Sequence, residues 1–455
     1  MRKHISVPRV AALVLGGAVV AVSGSASAAN CPTGTNVVYV SGSSAFQTVL
    51  AAAQNVLGST VTIVYQKPGS CEGLGSLLGF SGAAPVNDTS GGNTLALTGA
   101  GTTGSPYVVT ATGCAVPSAG VAVDVGISDV YTASCQAGYQ STLNSLTSSQ
   151  KDYLGPVQAM DIAVPTASTA TSISAQAGYM VFKYAADTTA HTVAPWTIPA
   201  DVFTRFYDSG TLQMIGAALG DGTKTLPGGL WKNAQCSTPG TTACPNTTSG
   251  TGGEVTALKT AATASTADGN AAVGIVSDQS IATGIRALAF QRAGQSCGYF
   301  PDSAQGNHDK LNVREGRYAI WGPEHLVVNM SGGQPVGMNS NTAAVQALIA
   351  TLTATANAPA ASSSDAGTSL TDAQIGSIID VIASPASGVV PTCAMKVSRT
   401  SEVGPEASFS PPAACSCRFL TAATGTAPST CTTCTSNSQC SGSTPACRFG
   451  YCEVQ

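Results

Sequence analysis

Apolar positions along this chain recur with two periods, and each period marks a different kind of element. Short apolar runs at Asn36–Val40, Thr60–Tyr65 and Val121–Gly126 predict three β-strands, each running into a turn of small polar residues. After the first, Phe46, Val49, Leu50, Ala53 and Val56 fall at helical spacing. They predict an amphipathic helix over Ser44–Leu57, with Ser43 or Ser44 able to cap its start. Ala159–Pro165 and Gly178–Tyr184 are apolar runs that predict buried strands crossing between lobes. Thr211–Leu219 predicts a short helix, and Ala271–Ser277 and Leu326–Asn329 predict further strands. Two late helices are well marked: Thr342–Thr355 through Val345, Leu348, Ile349 and Leu352, and Asp372–Ile382 through Ile375, Ile378, Ile379 and Ile382. Thr371 is a natural N-cap for the second.

Strands and helices that alternate in this way predict α/β lobes. At 455 residues the chain is long enough for two lobes and an appendage. The expected division is a leader over 1–29, a first lobe over 30–165 and a second over 166–310. A return segment to the first lobe follows over 311–385, then a Pro- and Ser-containing linker over 386–414 and a tail over 415–455. Residues 80–120, rich in Gly, Thr and Ser, predict a β-hairpin and coil, and residues 220–253 predict a Gly/Pro/Cys loop.

Arg2, Lys3 and Arg9 precede the apolar run Ala11–Val22, and Ala26-Ser27-Ala28 supplies a small-residue cleavage site, the pattern of a secretory signal. That run falls short of the roughly 18 residues needed to span a bilayer, so no stable membrane insertion is expected. Cleavage removes three basic residues and no acidic one, lowering the formal net charge from −4 by three, to −7. An acidic balance disfavours nucleic acid and anionic membrane surfaces as partners. Export also fixes the chemistry of the 15 cysteines, which are expected as disulfides. Eight are scattered through the body (Cys31, Cys71, Cys114, Cys135, Cys236, Cys244, Cys297, Cys393). Seven crowd the tail (Cys415, Cys417, Cys431, Cys434, Cys440, Cys447, Cys452). An odd total leaves one free or paired between chains, and if Cys393 joins the tail the odd one lies in the body. Cys236 and Cys244 are close enough in sequence to be expected as a pair. Cys415-x-Cys417 and Cys431-x-x-Cys434 have permissible zinc spacing, but an oxidising compartment favours disulfides, so neither metal nor cofactor is expected. The tail should be a disulfide-stapled knot.

Candidate chemistry lies in four turns: Ser41-Gly42-Ser43-Ser44-Ala45-Phe46, Gly69-Ser70, Ser128-Asp129, and Arg205 followed by Ser209-Gly210-Thr211. The first three follow strands, and the first and last open helical patterns. Helix N-termini offer unpaired N–H groups and the positive end of the dipole, and small residues let that backbone approach an anion. A guanidinium at Arg205 suits bidentate grasp of an oxyanion. The alternative for Arg205 is packing against Phe203 or Tyr207. Asp129 would repel a fully ionised oxyanion but accept a hydrogen bond from one that keeps a proton. It could equally cap the turn after it. A second triplet, Ser249-Gly250-Thr251, competes for the anion-turn role, although no arginine stands four residues before it.

The order and spacing of these turns resemble the phosphate-binding protein of bacterial ABC transporters, in the type II periplasmic-binding-protein superfamily. In that family a Gly-rich first turn ends in a small residue and Phe, as Ser44-Ala45-Phe46 does. A Gly-Ser turn matches Gly69-Ser70, a VDxGxSD element matches Val123–Asp129, and RxxxSGT matches Arg205–Thr211. The resemblance spans about residues 36–385. It implies a two-lobe α/β fold with crossing strands, to which the disulfide-rich tail is an appendage. It also implies phosphate or a related oxyanion held in the cleft by Ser43, Ser44, Ala45, Phe46, Ser70, Ser128, Asp129, Arg205, Ser209, Gly210 and Thr211, and an ABC-transporter permease as partner. Ala45 stands where the family usually carries a threonine, which removes one donor unless Ser43 or Ser44 replaces it.

Two other function classes are open. A cysteine-rich tail suits a surface or adhesive protein that kept the fold but not the ligand. Gly294-Gln295-Ser296-Cys297-Gly298 fits G-x-S-x-G, the turn of a serine hydrolase. A nucleophile elbow needs a helix directly after its serine, and Tyr299-Phe300-Pro301-Asp302 follows here. His191, His308 and His325 show no partner pattern, so the expectation is binding rather than catalysis.

Overall fold

The computed structural model describes residues 29–79, 91–100, 105–138, 143–183, 193–206, 208–220, 247–248, 250–355, 370–385 and 387–453. Ten strands form one sheet: β1 (Val37–Gly42), β2 (Thr62–Gln66), β3 (Gly92–Thr98), β4 (Val108–Cys114), β5 (Val125–Ser128), β6 (Gln150–Pro165), β7 (Gly274–Ser277), β8 (Ile285–Ala287), β9 (Trp321–Ser331) and β10 (Gln334–Val336). Their order is β7-β6-β9-β5-β1-β2-β3-β4, with β8 also on β6 and β10 also on β9. β1 lies parallel to both β2 and β5, whereas β5–β9, β9–β6 and β6–β7 are antiparallel.

The sixteen-residue strand β6 carries the chain from one lobe to the other. Its Gln150–Ala159 stretch pairs with β9 in the first lobe, and Met160–Pro165 pairs with β7 and β8 in the second. This is an α/β fold of two lobes joined by crossing strands, the architecture that the resemblance implied. The β6–β9 register shifts between Pro323 and His325, an irregularity of the kind that re-aims a side chain. Glu324 sits at that point.

Helices α1 (Gln47–Leu57), α2 (Ser70–Leu78), α3 (Ala175–Lys183), α4 (Gly210–Ala218), α5 (Thr251–Ala264), α6 (Thr342–Thr353), α7 (Asp372–Ala383) and α8 (Ser416–Thr424) cover the sheet. Val49 and Leu50 of α1, Val345 and Leu348 of α6, and Ile378 and Ile382 of α7 pack with Val38, Val40 and Ile63 in one core. The helical period placed those residues on one face. Thr371 caps α7 in a full capping box: its hydroxyl accepts the Gln374 N–H, and the Gln374 side chain accepts the Thr371 N–H. A smaller core in the second lobe joins Leu258 and Ala261 of α5 to Ala163, Val276 and Ile285.

Three differences from expectation have physical causes. Gly178–Tyr184, expected as a strand, lies largely in α3, with Ala175, Gly178, Val181 and Phe182 buried along one side. The continuous run Tyr179–Phe182 hid that period. At Gly178 a Cβ would stand 2.6 Å from a Leu219 methyl, so α3 lies close against the end of α4 and a larger residue would push the Leu219 side chain aside. The loop expected over 220–253 ends earlier, because α5 opens at Thr251. Residues 387–414, expected as a linker, are built into the body: Val157 and Val390 form a β-bridge, and Val389, Cys393, Ala394 and Met395 are buried.

The tail continues that attachment. Cys415, Phe419, Ala423 and Phe449 belong to the same core cluster as Met160, Trp196 and Ile379. Arg418 makes a two-pronged ion pair with Asp380 of α7. Arg314 donates to the Ala394 carbonyl at 2.9 Å and to the Ser416 hydroxyl at 3.0 Å, and its guanidinium lies 5.1 Å from the Phe419 ring centre. Among the described residues the disulfides are Cys31–Cys114, Cys71–Cys135, Cys393–Cys415, Cys417–Cys431, Cys434–Cys447 and Cys440–Cys452. Cys393 therefore joins the tail, and the free, exposed thiol is Cys297 in the body. The four cysteines with zinc spacing all carry disulfides. The leader (apart from Ala29) and the Cys236–Cys244 pair lie outside the described residues. Among the described residues no helix is long and apolar enough to cross a membrane.

Candidate functional site

A cavity of about 580 Å³ opens between the lobes, where strand ends and helix N-termini converge. The first lobe supplies Ser44 from the turn after β1, with Lys67, Pro68 and Gly69 from the turn after β2. The second lobe supplies Arg205, Phe206 and Asp208, the Gly250–Gly253 turn at the start of α5, and Ser277, Gln279 and Ser280 after β7.

Arg205 is the central cation of this wall. It lies in a two-residue strand, Thr204–Arg205, paired in parallel with Thr247–Thr248. That pairing sets its guanidinium beside the N-terminus of α5, where Nη1 donates to the Thr251 hydroxyl at 2.8 Å. Its Nε is buried and meets no partner among the described residues. Burial pulls the guanidinium below its ordinary range, against Glu254, Asp208 and Asp129, which hold it up. Glu254, one turn into α5, accepts the Thr248 hydroxyl at 2.6 Å and the Ile275 N–H at 2.9 Å. Burial pushes its carboxyl up to about 7. Burial also pushes Asp208 up to about 7; Arg205 opposes the rise and Glu72 adds to it.

Behind the first-lobe wall lies a sealed network around Asp129. The hydroxyl of Ser43 donates to one Asp129 oxygen, and that of Ser70 donates to the other at 2.8 Å. Ser43 also accepts the Ala45 N–H at 3.1 Å, fixing the turn, and its carbonyl accepts the Tyr65 hydroxyl. Glu324, delivered by the irregularity in β9, is fully buried against Asp129. Burial, and then the Asp129 charge, drive its carboxyl well above the usual range. At Gly210 a Cβ would come within 2.5 Å of the Ser70 hydroxyl and 2.6 Å of Asp129 Oδ2. Glycine lets α4 close over the network.

The eleven expected site residues thus divide. Ser44 and Arg205 line the cavity. Ser43, Ser70 and Asp129 bond to one another behind it, with Gly210 packed on top. Ala45 presents its carbonyl, which accepts the Gln279 side-chain N–H at 3.0 Å across the cleft, while Phe46 is buried in the first-lobe core. Ser128 spends its hydroxyl on the Val130 backbone, Ser209 caps α4, and the Thr211 hydroxyl points to the Met160 sulfur at 3.4 Å. The competing Gly250-Thr251 turn faces the cavity beside Arg205; Ser249 lies outside the described residues. Asp208, Glu254, Lys67 and Gln279 were not singled out from sequence. Only a titratable residue next to Arg205, such as Asp208, left a local signal.

The G-x-S-x-G run lies in a turn, and its Gly298-Tyr299 end leads into a bridge between Tyr299 and Phe290 rather than into a helix. His325 is buried, with Nδ1 2.6 Å from Asp152 and its ring 4.2 Å from that of Tyr131.

No protein-family model and no curated protein matches this chain. Solved structures similar to it include a high-affinity periplasmic phosphate-binding protein bound with phosphate, at 15% identity and a TM-score of 0.41, covering 78% of this chain and 90% of that one. A phosphate-binding protein from Stenotrophomonas maltophilia is 13% identical with a TM-score of 0.39, covering 81% of this chain and 91% of that one. An ABC-type phosphate transport receptor from Vibrio cholerae is 14% identical with a TM-score of 0.35, covering 65% of this chain and 88% of that one.

Proposed function

We propose that this is an exported solute-binding protein that captures a phosphate-type oxyanion in the cleft, with lobe closure as the conformational step. The observation that carries this reading is Arg205, buried in the cavity wall and aimed with Thr251 at the N-terminus of α5. A guanidinium with a spare buried N–H, a hydroxyl and a Gly-rich helix start are complementary donors for tetrahedral oxygens. Lys67 adds a second positive charge on the opposite lobe. Delivery to an ABC-transporter permease belongs to the same proposal.

Calorimetric titration of inorganic phosphate and sulfate into wild type and Arg205→Ala tests it. Wild type should bind phosphate, and the variant should bind it at least tenfold more weakly, since truncating one partner of a desolvated charge pair costs about 2–5 kcal/mol. Equal affinity in wild type and variant would move the anion away from Arg205 and sink the reading.

A further inference from the structure

We propose that the oxyanion enters this cleft on a hydroxylated organic body, as the phosphomonoester of a polyol or sugar, and that Asp208 accepts hydrogen bonds from the body's hydroxyls. This rests on the oxyanion reading above and adds the substrate class.

The first argument is room. Water in bulk occupies about 30 Å³ per molecule, and a bare tetrahedral oxyanion displaces only a few waters. Seated on Arg205 and Thr251, such an ion would leave most of the 580 Å³ unfilled. Cavities that hold organic ligands run from about 300 to 1,000 Å³. At one side of this room Gln279 reaches across to the Ala45 carbonyl at 3.0 Å and joins the two walls.

The second argument is what lines the surplus. Next to the Arg205 end stands the carboxyl group of Asp208, held close to Gly69, where a Cβ would come 2.8 Å from Asp208 Oδ2. An ionised carboxylate only accepts hydrogen bonds, and two neighbouring hydroxyls supply the donors it needs. A bare oxyanion brings at most one proton, so it satisfies only part of the acceptor capacity of an acid here. The hydroxyls of Ser44, Ser277 and Ser280 extend the polar wall, and Phe206 and Pro68 offer faces for C–H groups. The cations Arg205 and Lys67 would serve the phosphoryl end.

The test is calorimetry on the full chain at pH 8, where Asp208, with its value near 7, is ionised. Inorganic phosphate, ethyl phosphate, glycerol 3-phosphate and glucose 6-phosphate are titrated into wild type and Asp208→Asn. Glycerol 3-phosphate or glucose 6-phosphate should bind wild type at least tenfold tighter than inorganic phosphate and ethyl phosphate, and the better of the two sets the body size. Asp208→Asn should weaken that ester at least tenfold more than it weakens inorganic phosphate. The wild-type ratio needs no variant to fold. Inorganic phosphate binding as tightly as every hydroxylated ester would overturn this inference and leave the oxyanion reading standing. So would an Asp208→Asn loss equal for all four compounds. Binding of none of the four would overturn both.

Discussion

Phe419→Ala is expected to weaken the whole body of the protein, although it alters a residue of the cysteine-rich tail. Phe419 is fully buried in the cluster that also holds Trp196 and Trp321. Truncating a buried phenylalanine costs about 3–5 kcal/mol through lost transfer free energy and the cavity left behind. The ring is also the surface on which the buried Arg314 guanidinium rests at 5.1 Å, so the upper half of that range applies. Domains are stable by only about 5–15 kcal/mol, which makes the loss a large share of the total. With a urea slope of about 3 kcal/mol/M or more for a chain of this size, the midpoint should drop by about 1 M. Tryptophan fluorescence is the assay, because Trp196 and Trp321 report on the body and the tail contains no tryptophan. If Phe419→Ala leaves the tryptophan-detected midpoint within 0.2 M of wild type (about half a kcal/mol), the tail is a separate module and its packing into the core is wrong.

Glu254 sits at about 7 against an ordinary value of 4.5, so the folded protein keeps a proton that the unfolded chain releases between those values. Its contribution is therefore fully favourable below pH 4.5 and is lost as pH rises to 7, by up to about 3 kcal/mol; urea midpoints at pH 5 and 8 should show the decline, and Glu254→Gln should reduce it, leaving the share that Asp208 contributes. Gly69 has a φ of +143° and faces Asp208, so Gly69→Ala should cost about 1–3 kcal/mol, and an unchanged thermal midpoint would contradict the tight approach. Gln279→Ala removes the side-chain bond that spans the cleft and should raise the ligand dissociation rate several-fold in stopped-flow measurements, whereas an unchanged rate would mean the bond does not hold the lobes. Asp129→Ala leaves the Ser43 and Ser70 hydroxyls without their acceptor, and a loss of less than about 1 kcal/mol in denaturation would be inconsistent with that sealed network.

Sequence legibility followed the range of the forces involved. α1 and α7 were readable because period and cap agree locally: Phe46 through Val56 for one, Thr371 with its isoleucines for the other. α8 was not, because Phe419 and Ala423 are buried through docking against distant parts of the chain, α7 and the Arg314 side chain among them. The cleft shows the same limit more sharply. Both small triplets open helices, at Gly210 and at Thr251, and sequence proximity ties Arg205 to the first. In the fold, a parallel pairing of Thr204–Arg205 with Thr247–Thr248 carries the guanidinium to Thr251, 46 residues away. The charges of Asp208 and Glu254 owe their values to burial, which no local pattern announces.

The bridge between Val157 and Val390 sets a timetable for folding. A chain that emerges from its N-terminus at roughly 5–20 residues per second exposes Val157 more than two hundred residues before Val390, its bridge partner, is made. Strand β6 likewise waits for β9, its neighbour in the sheet, until the second lobe has been made. The sheet around β6 therefore cannot be completed until these late residues arrive. Any process that stopped synthesis partway would leave that sheet unfinished.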